Sequence, residues 1–381
     1  MIKIIIIILF SIPFSQDCSW WQTWIENIPE SVNVEEEENC FSTNDLERLQ
    51  EFIDLNESLS DYLPLEIGSQ SWEGNRLTYL NMYSSGIDTI PNSINDLSEL
   101  KNLYLSSNPL TNIPESIGEL DRLERFYIHT CQIQAVPESF GNLTNLKSIW
   151  IYNNQLSSLP ESFGELGDLE TLKIANNNLD SLPDSFGNLY NLEELDILNN
   201  NLTSLPENFE ELTNLNYLNL FNNNLNNFLQ NLSEFDKLEI LNLENNSLDS
   251  ISNQICDVID SLSFFSINNN KICPPYPDCL SEFEIGIQNL ESCELCDSSF
   301  VWVSNVLEFV NLDQTTNCFN IEDLSILEEI TLFNDLNYQE PFYNYPQTWY
   351  NGRLTELNLS NFFIIGIPEN IQNLDEIKVL D

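Results

Sequence analysis

The chain has 381 residues, 42% of them hydrophobic, and its 61 Asp and Glu against 12 Lys and Arg give a formal net charge of −49. That imbalance excludes nucleic acid as a partner, because phosphate binding needs clustered cations, and it disfavours anionic membrane surfaces. With one histidine, most zinc sites and the usual nucleophile-and-base pairs are also missing, so no catalytic residue, metal or cofactor is expected and the chain does not read as an enzyme.

In chain order, Lys3 precedes the apolar run Ile4 to Phe10 and then Ser11, Pro13 and Ser15, which is the order of a signal peptide over residues 1–15. Its apolar stretch falls short of the roughly 20 residues a spanning helix needs. The mature chain is therefore expected to be secreted or at the cell surface and not membrane-spanning. Loss of Lys3 with the signal peptide takes the charge from −49 to −50, since residues 1–15 hold no acidic side chain.

Cysteines in an exported chain read as disulfides. Eight of the nine lie outside the regular repeats described below or at their end: Cys18, Cys40, Cys256, Cys273, Cys279, Cys293, Cys296 and Cys318. The spacing of Cys18 to Cys40 recurs as Cys296 to Cys318, which suggests two equivalent local bridges. The other four allow three connectivities. Cys256 and Cys279 hold nearly the same position on successive units, which favours that pair and leaves Cys273 with Cys293.

Residues 16–76 read as an N-terminal cap. Within it the run Glu35 to Glu38 lacks the regular oxygen-ligand spacing of calcium loops and reads as a charged loop. Asn44 and Glu47 read as a capping box that starts a helix with Leu46, Leu49 and Ile53 on one face.

From Leu77 a 23-residue unit repeats, with starts at Leu77, Leu100, Leu123, Leu146, Leu169, Leu192, Leu215, Leu238 and Leu262. In the copy Leu169 to Asn191, the residues Leu169, Leu172, Ile174, Asn177, Leu179, Leu182, Pro183, Phe186 and Leu189 mark positions 1, 4, 6, 9, 11, 14, 15, 18 and 21. Alternation at positions 4 and 6 predicts a short strand buried on one face. Position 9 is Asn in seven of the nine units, where an inward amide can satisfy backbone groups of neighbouring turns; Ser85 and Cys131 replace it in the other two. The prolines at position 15 end the extended stretch, and the segment after them reads as one short helical turn.

One unit cannot bury enough apolar surface to offset the entropy of ordering it, so the units must stack. Their strands then lie about 4.8 Å apart in a parallel sheet. The pattern Leu-x-x-Leu-x-Leu-x-x-Asn-x-Leu-x-x-Leu-Pro-x-x-Phe-Gly-x-Leu resembles the leucine-rich-repeat superfamily, over residues 77–272 and again from Leu354. The resemblance implies an α/β solenoid, a horseshoe with a curved parallel sheet on its concave face and short helical turns on its convex face. It also implies a concave face that binds proteins, peptides or glycans.

Residues 273–295, with Cys273, Pro274, Pro275, Pro277 and Cys279, abandon the repeat and read as a C-terminal cap and linker. Residues 296–353 repeat the first cap: Cys318, Phe319, Asp323, Leu324, Leu327, Trp349, Arg353 and Leu354 match Cys40, Phe41, Asp45, Leu46, Leu49, Trp72, Arg76 and Leu77. A second array starts at 354 and stops within its next strand, as a truncated reading frame would.

The solvent face of the predicted sheet is read at positions 3, 5, 7 and 8. Position 5 gives Tyr104, Tyr127 and Trp150 on consecutive rungs, and position 7 adds Tyr83, His129 and Tyr152. Arg125 and Lys173 border this patch, while Asp196, Phe221 and Glu244 lie further along. Aromatic residues suit strands in any case, but so many rings facing solvent also fit a ligand surface. His129 and Cys131 are not expected to meet, because position 7 points outward and position 9 inward. No carboxylate pair in an evident apolar pocket suggests sugar cleavage. The expected function is extracellular recognition through the concave sheet, or alternatively a structural or adhesive component of tandem arrays with no single ligand site. Six Asn-x-Ser/Thr sequons, at Asn56, Asn142, Asn201, Asn231, Asn245 and Asn358, are what chance provides in an Asn-rich chain.

Overall fold

The structure is a computed structural model that describes residues 18–34, 39–229, 231–274, 276–290, 300–302, 310–312, 318–333, 347–350, 353–359, 369–374 and 376–380. The expected signal peptide, the run Glu35 to Glu38 and Cys293 and Cys296 lie outside these residues. The chain divides into two compact units, one of residues 1–270 with Ser281–Gly286, the other of Lys271–Leu280 with residues 287–381.

The first unit opens with β1 (Gln22–Trp24), β2 (Val32–Val34) and β3 (Cys40–Ser42), followed by α1 (Thr43–Leu55), β4 (Ser69–Glu73) and β5 (Arg76–Asn81). β1 and β3 pair antiparallel, and Cys18 and Cys40 form a disulfide beside them. Helix α1 buries Leu46, Leu49, Phe52 and Ile53 on one face. Its cap differs from the expected Asn44 box. Ser42 is the N-cap and accepts from the Asp45 amide at 3.2 Å, while its hydroxyl donates to the Asp45 carboxylate at 3.0 Å. The helix starts earlier because Asp45 is needed inside: fully buried, it also accepts from the Leu77 amide and pairs with Arg76.

After β5 the repeats follow as β6 (Asn102–Tyr104), β7 (Arg125–Tyr127), β8 (Ser148–Trp150), β9 (Thr171–Lys173), β10 (Glu194–Asp196), β11 (Tyr217–Asn219), β12 (Ile240–Asn242), the short helix α2 (Ile255–Val258) and β13 (Phe264–Ser266). Strands β5 to β13 pair in parallel and in sequential order, and equivalent repeat positions face one another, as in Phe126↔Ile149 and Leu172↔Leu195. β4 extends the sheet antiparallel to β5, and β2 pairs with β4, so the cap covers the open edge of the first rung. Helix α3 (Glu282–Ile285) follows at the other end. The fold is a leucine-rich-repeat solenoid.

Each repeat position has a physical reason. Positions 1, 4, 6 and 11 are buried in the first eight units, with Leu262 and Phe265 of the ninth only partly covered, and the segments after the prolines are 3₁₀ turns such as Glu161–Glu165. The position 18 phenylalanines Phe140, Phe163, Phe186 and Phe209 stack in a buried column with centroids 6.1, 6.5 and 6.2 Å apart. The glycine after Phe163 is required by close approach: a Cβ on Gly164 would lie 2.3 Å from the Ser185 carbonyl oxygen of the next turn. Position 8 is left-handed throughout, from Ser84 at φ 53° to Asn269 at φ 55°, which suits the asparagines that fill six of its nine places.

At position 9, the Asn177 amide donates to the carbonyls of Ile151 and Ile174 at 3.1 and 3.0 Å and accepts from the Leu156 amide at 3.0 Å. It thereby joins two rungs whose turns no regular ladder would satisfy. Cys131 takes this place as a half-buried free thiol, its Sγ donating to the Leu105 and His129 carbonyls, both at 3.6 Å.

In the second unit, β14 (Phe300–Trp302) pairs antiparallel with β16 (Cys318–Asn320), and β15 (Val310–Leu312), β17 (Gln347–Tyr350), β18 (Arg353–Leu357) and β19 (Val379–Leu380) form a four-stranded sheet. Helix α4 (Ile321–Phe333) contributes Leu327 and Ile330 to a core with Phe319, Trp349, Leu354 and Leu357. β18 and β19 pair in parallel with Leu357 opposite Leu380, the register of two successive rungs. Cys256, Cys273 and Cys279 are each disulfide-bonded. No described helix is long and apolar enough to cross a membrane.

Candidate ligand-binding face

Position 5 points away from the core because positions 4 and 6 point into it, so equivalent side chains of neighbouring strands come face to face. The register sets Tyr104 against Tyr127 and Tyr127 against Trp150. Their rings stack with centroids 4.4 Å apart at both steps and planes 7° and 13° from parallel. Tyr79, at position 3 of the first unit, meets Tyr104 edge-on at 5.3 Å, and the ammonium of Lys173 lies 5.0 Å from the Trp150 ring centre. The result is one aromatic ladder over four rungs, closed by a cation on the fifth.

A second, shorter stack runs beside it. His129 and Tyr152 lie parallel at 4.2 Å, and His129 and Trp150 are 6.3 Å apart. Tyr83 stands more loosely, 6.5 Å from His129 and 59% exposed. Arg125 is exposed on the Tyr127 strand and donates to the Asn102 side chain at 3.2 Å. All eight proposed contact residues, Tyr83, Tyr104, Arg125, Tyr127, His129, Trp150, Tyr152 and Lys173, therefore lie on β5 to β9 or the residues just after them.

Desolvation sets the acid–base character of the face. Burial pushes the Tyr104 phenol up to about 12, with the neighbouring Tyr127 adding to it and Arg125 opposing. The phenol keeps its proton and stays a donor. Burial also lowers His129 below the usual imidazole value, which favours the neutral ring. Cys131 is raised by burial, against the pull of the Asn108, Leu110 and Ser107 backbone groups, so it holds a thiol and not a reactive thiolate. The His129 ring stacks on Tyr152 and contacts Thr130, while the partners of the Cys131 thiol are backbone groups, among them the Leu105 and His129 carbonyls.

Three residues of this face were missed from the contact set. Tyr79 and Tyr217 share position 3 with Arg125, and the strand alternation that picked out Arg125 would also have found them. Asp196 was read as lying further along, with no carboxylate in an apolar setting. It is in fact half-buried beside Tyr217 and Asn219, and burial raises its carboxyl, opposed by the Leu198 amide, Lys173 and Asn219. Its Oδ1 is out of contact with solvent and has no hydrogen-bond partner in the structure, as is also true of the Trp150 indole nitrogen. Among the described residues no group of three or more His, Cys, Asp or Glu side chains could hold a metal ion. Of the sequons, Asn56 is buried, with its amide bonded to the Phe52 and Thr89 carbonyls and to the Asp88 and Thr89 amides, so it cannot carry a glycan in the folded chain.

Comparison with known proteins adds the family. A profile described as leucine-rich repeat region matches residues 72–158 and 141–349. Similar solved structures include the ectodomain of the plant receptor kinase GASSHO1/SCHENGEN3 from Arabidopsis thaliana, at 20% identity over 60% of this chain and 35% of that one, with a TM-score of 0.46. A leucine-rich-repeat protein of Leptospira interrogans matches at 25% identity over 51% of this chain and 67% of that one, with a TM-score of 0.31. The functional domain of InlJ from Listeria monocytogenes matches at 22% over 51% and 40%, with a TM-score of 0.45. The chain thus spans about a third of the plant ectodomain's length. No curated protein sequence matches it. The family profile covers well over half of the chain, and its repeats form the solenoid described above: the protein belongs to the leucine-rich-repeat family.

Proposed function

We propose that this protein is an extracellular recognition protein whose concave sheet binds a peptide or an extended segment of another protein. The observation that carries this reading is the ladder Tyr79, Tyr104, Tyr127, Trp150 and Lys173. Five outward side chains in contact on consecutive rungs form a pre-ordered surface, which lowers the entropy lost on binding.

The ladder also favours a peptide over a glycan. Sugars stack on open ring faces, but Tyr127 is sandwiched between Tyr104 and Trp150, and Lys173 follows Trp150 on the next rung. What the ladder offers a ligand is ring edges, phenol donors and the Arg125 guanidinium, groups that match peptide carbonyls and side chains. Export is supported by the Cys18–Cys40 disulfide and by the disulfides of Cys256, Cys273 and Cys279.

The experiment is selection of binders from a displayed random peptide library, followed by affinity measurement with Tyr127→Ala and Trp150→Ala. Binding that falls at least about 10-fold in both variants is expected. Affinity unchanged in both for every binder found would remove the reading and leave a structural role for the array. The second reading, a spacer of tandem arrays, draws on the duplicated cap at Asp323, Arg353 and Trp349.

A further inference from the structure

The N-terminal cap carries two side chains that neither the core nor the ladder uses. Trp20 and Trp21 are the central residues of a turn closed by the Gln22 amide, which donates to the Ser19 carbonyl at 2.8 Å, and they are 95% and 40% exposed. Turn centres favour Gly, Pro, Asn, Asp and Ser, and a bare indole there keeps a large apolar surface in water. The turn is held firmly. The Cys18–Cys40 disulfide precedes it, the Ser19 amide donates to the Gln22 side chain at 2.8 Å, and the Trp21 carbonyl accepts from the Thr43 amide at 2.9 Å.

The duplicated cap serves as an internal control. Gln22 pairs with Ser42 across β1 and β3, and Phe300 pairs with Asn320 across β14 and β16, so Gln22 and Phe300 are equivalent. The two residues before them are Trp20 and Trp21 in the first cap but Ser298 and Ser299 in the second, whereas Trp24 is matched by Trp302. The same strand pairing thus forms with turn-suited serines, and the indoles are not needed for it. The polar residues beside them change as well. Thr43, Asn44 and Glu47 of α1 are replaced by Ile321, Glu322 and Ser325 of α4.

Trp20, Trp21, Thr43, Asn44, Glu47 and Arg76 line an open pocket of about 600 Å³, a size that suits a small ligand. Its charges are already paired: Arg76 lies 2.9 Å from Asp45, and Glu47 lies 3.6 Å from Arg48. What remains for a ligand is hydrogen-bonding capacity of both kinds. The bonds of Arg76 to Asp45, Asp96 and Ser98 use Nε and Nη2, which leaves Nη1 as a donor. The Asn44 nitrogen donates to the Asp96 carbonyl at 3.4 Å, which leaves its oxygen as an acceptor beside the exposed Glu47 carboxylate. A charge-balanced pocket with donors, acceptors and open rings fits a neutral sugar. Sugar hydroxyls both give and accept hydrogen bonds, and the C–H face of the ring is electropositive toward the π face of an indole. The Tyr127 ring of the ladder is covered on both sides, whereas Trp20 is open.

We propose that this pocket binds a neutral glycan, one ring of which packs on Trp20 and Trp21 while its hydroxyls bond to Asn44, Glu47 and Arg76. Glycan binding by the cap and peptide binding by the ladder are independent of each other.

The test uses the full chain and the double variant Trp20→Ser with Trp21→Ser, which copies the second cap and is expected to keep the wild-type melting temperature. An array of neutral and acidic oligosaccharides is probed with both, and the sugars bound are titrated by calorimetry. The wild-type chain is expected to bind neutral oligosaccharides, with affinity at least about 10-fold lower in the double variant and unchanged in Trp150→Ala. Glu47→Ser, also copied from the second cap, leaves the turn intact and should lower affinity by about 3-fold or more, which reads the site even if the double variant melts lower. Binding of no neutral oligosaccharide, binding that survives a folded double variant or Glu47→Ser, or binding lost in Trp150→Ala would overturn the proposal. Peptides from a random library that lose affinity in the double variant, with no sugar bound, would also overturn it and make the pocket a protein contact.

Discussion

Asp45 and Leu77 are 32 residues apart and joined by a hydrogen bond of 2.8 Å, in which the backbone amide that opens the first repeat donates to a fully buried carboxylate of the cap helix. Arg76 closes the same carboxylate at 2.9 Å. The arrangement recurs in the second unit, where Asp323 accepts from the Leu354 amide at 2.9 Å and from Arg353 at 2.8 Å. Around it, Phe41 meets Trp72 edge-on at 4.9 Å and Phe319 meets Trp349 at 4.8 Å. The indole N–H of each tryptophan donates to a glutamine, Gln70 or Gln347. The cap is one device used twice.

Because Asp45 ties the cap helix to the first rung, Asp45→Ala should leave Arg76 and the Leu77 amide without their acceptor. A loss of about 3–5 kcal/mol is expected, the scale of breaking a buried pair from one side. Urea unfolding of the two chains measures it, and a change under 1 kcal/mol would show that the cap is held by packing alone.

The position 9 amides should be separable from apolar packing. Asn177→Ala removes bonds to two rungs and is expected to cost about 1–3 kcal/mol. Cys131→Asn should do the reverse, adding about 1 kcal/mol, because the thiol makes only long contacts where an amide would make short ones. Thermal melts that rank the two variants in the opposite order would refute this account.

Gly164→Ala should destabilise the chain by about 1–3 kcal/mol, since its methyl would meet the Ser185 carbonyl oxygen of the next turn. Gly74, which has nothing within 4 Å of the same ideal position but a φ of 54°, separates the two causes. There Ala meets backbone strain only, so crystal structures of the variants should show the turn displaced at Gly164 and not at Gly74.

His129 carries a pH signature. Its folded-state value lies below that of a free histidine, 6.5, because burial disfavours the charged ring. An unfolded chain therefore takes up the proton first. The contribution is complete above about pH 6.5, and stability falls as pH drops from there toward the folded value. Titration of the His129 ring by NMR should give a midpoint below 6.5, and His129→Gln should remove that part of the pH dependence. A midpoint above 6.5 would mean that a carboxylate, and not burial, governs the ring.

Binding by the ladder predicts a hierarchy. Trp150→Ala and Tyr127→Ala each open a stack and should weaken a peptide binder by about 2 kcal/mol or more, whereas Tyr83→Ala, loosely placed and exposed, should change it by less than about 1 kcal/mol. Titration calorimetry with a selected peptide reads the order directly.

Much of this was legible without coordinates. The 23-residue recurrence determines which side chains face inward, because a rung that cannot bury its leucines alone must stack on the next. That fixes the parallel order of β5 to β13, the outward direction of position 5 and hence the consecutive placement of Tyr104, Tyr127 and Trp150. Helix α1 was legible too, but not its cap, since Asn44 and Glu47 fit the local pattern as well as Ser42 and Asp45 do. Only contact with Leu77 and Arg76, far along the chain, selects the latter pair. The tertiary structure alone decided that the rings of Tyr104, Tyr127 and Trp150 lie parallel at 4.4 Å, that Lys173 lies over Trp150, and that the half-buried Asp196 carboxylate has one oxygen out of contact with solvent and without a hydrogen-bond partner. Periodicity says which way a side chain points; rotamer, ring spacing and desolvation depend on its neighbours one rung away, and those become neighbours only when the rungs have stacked.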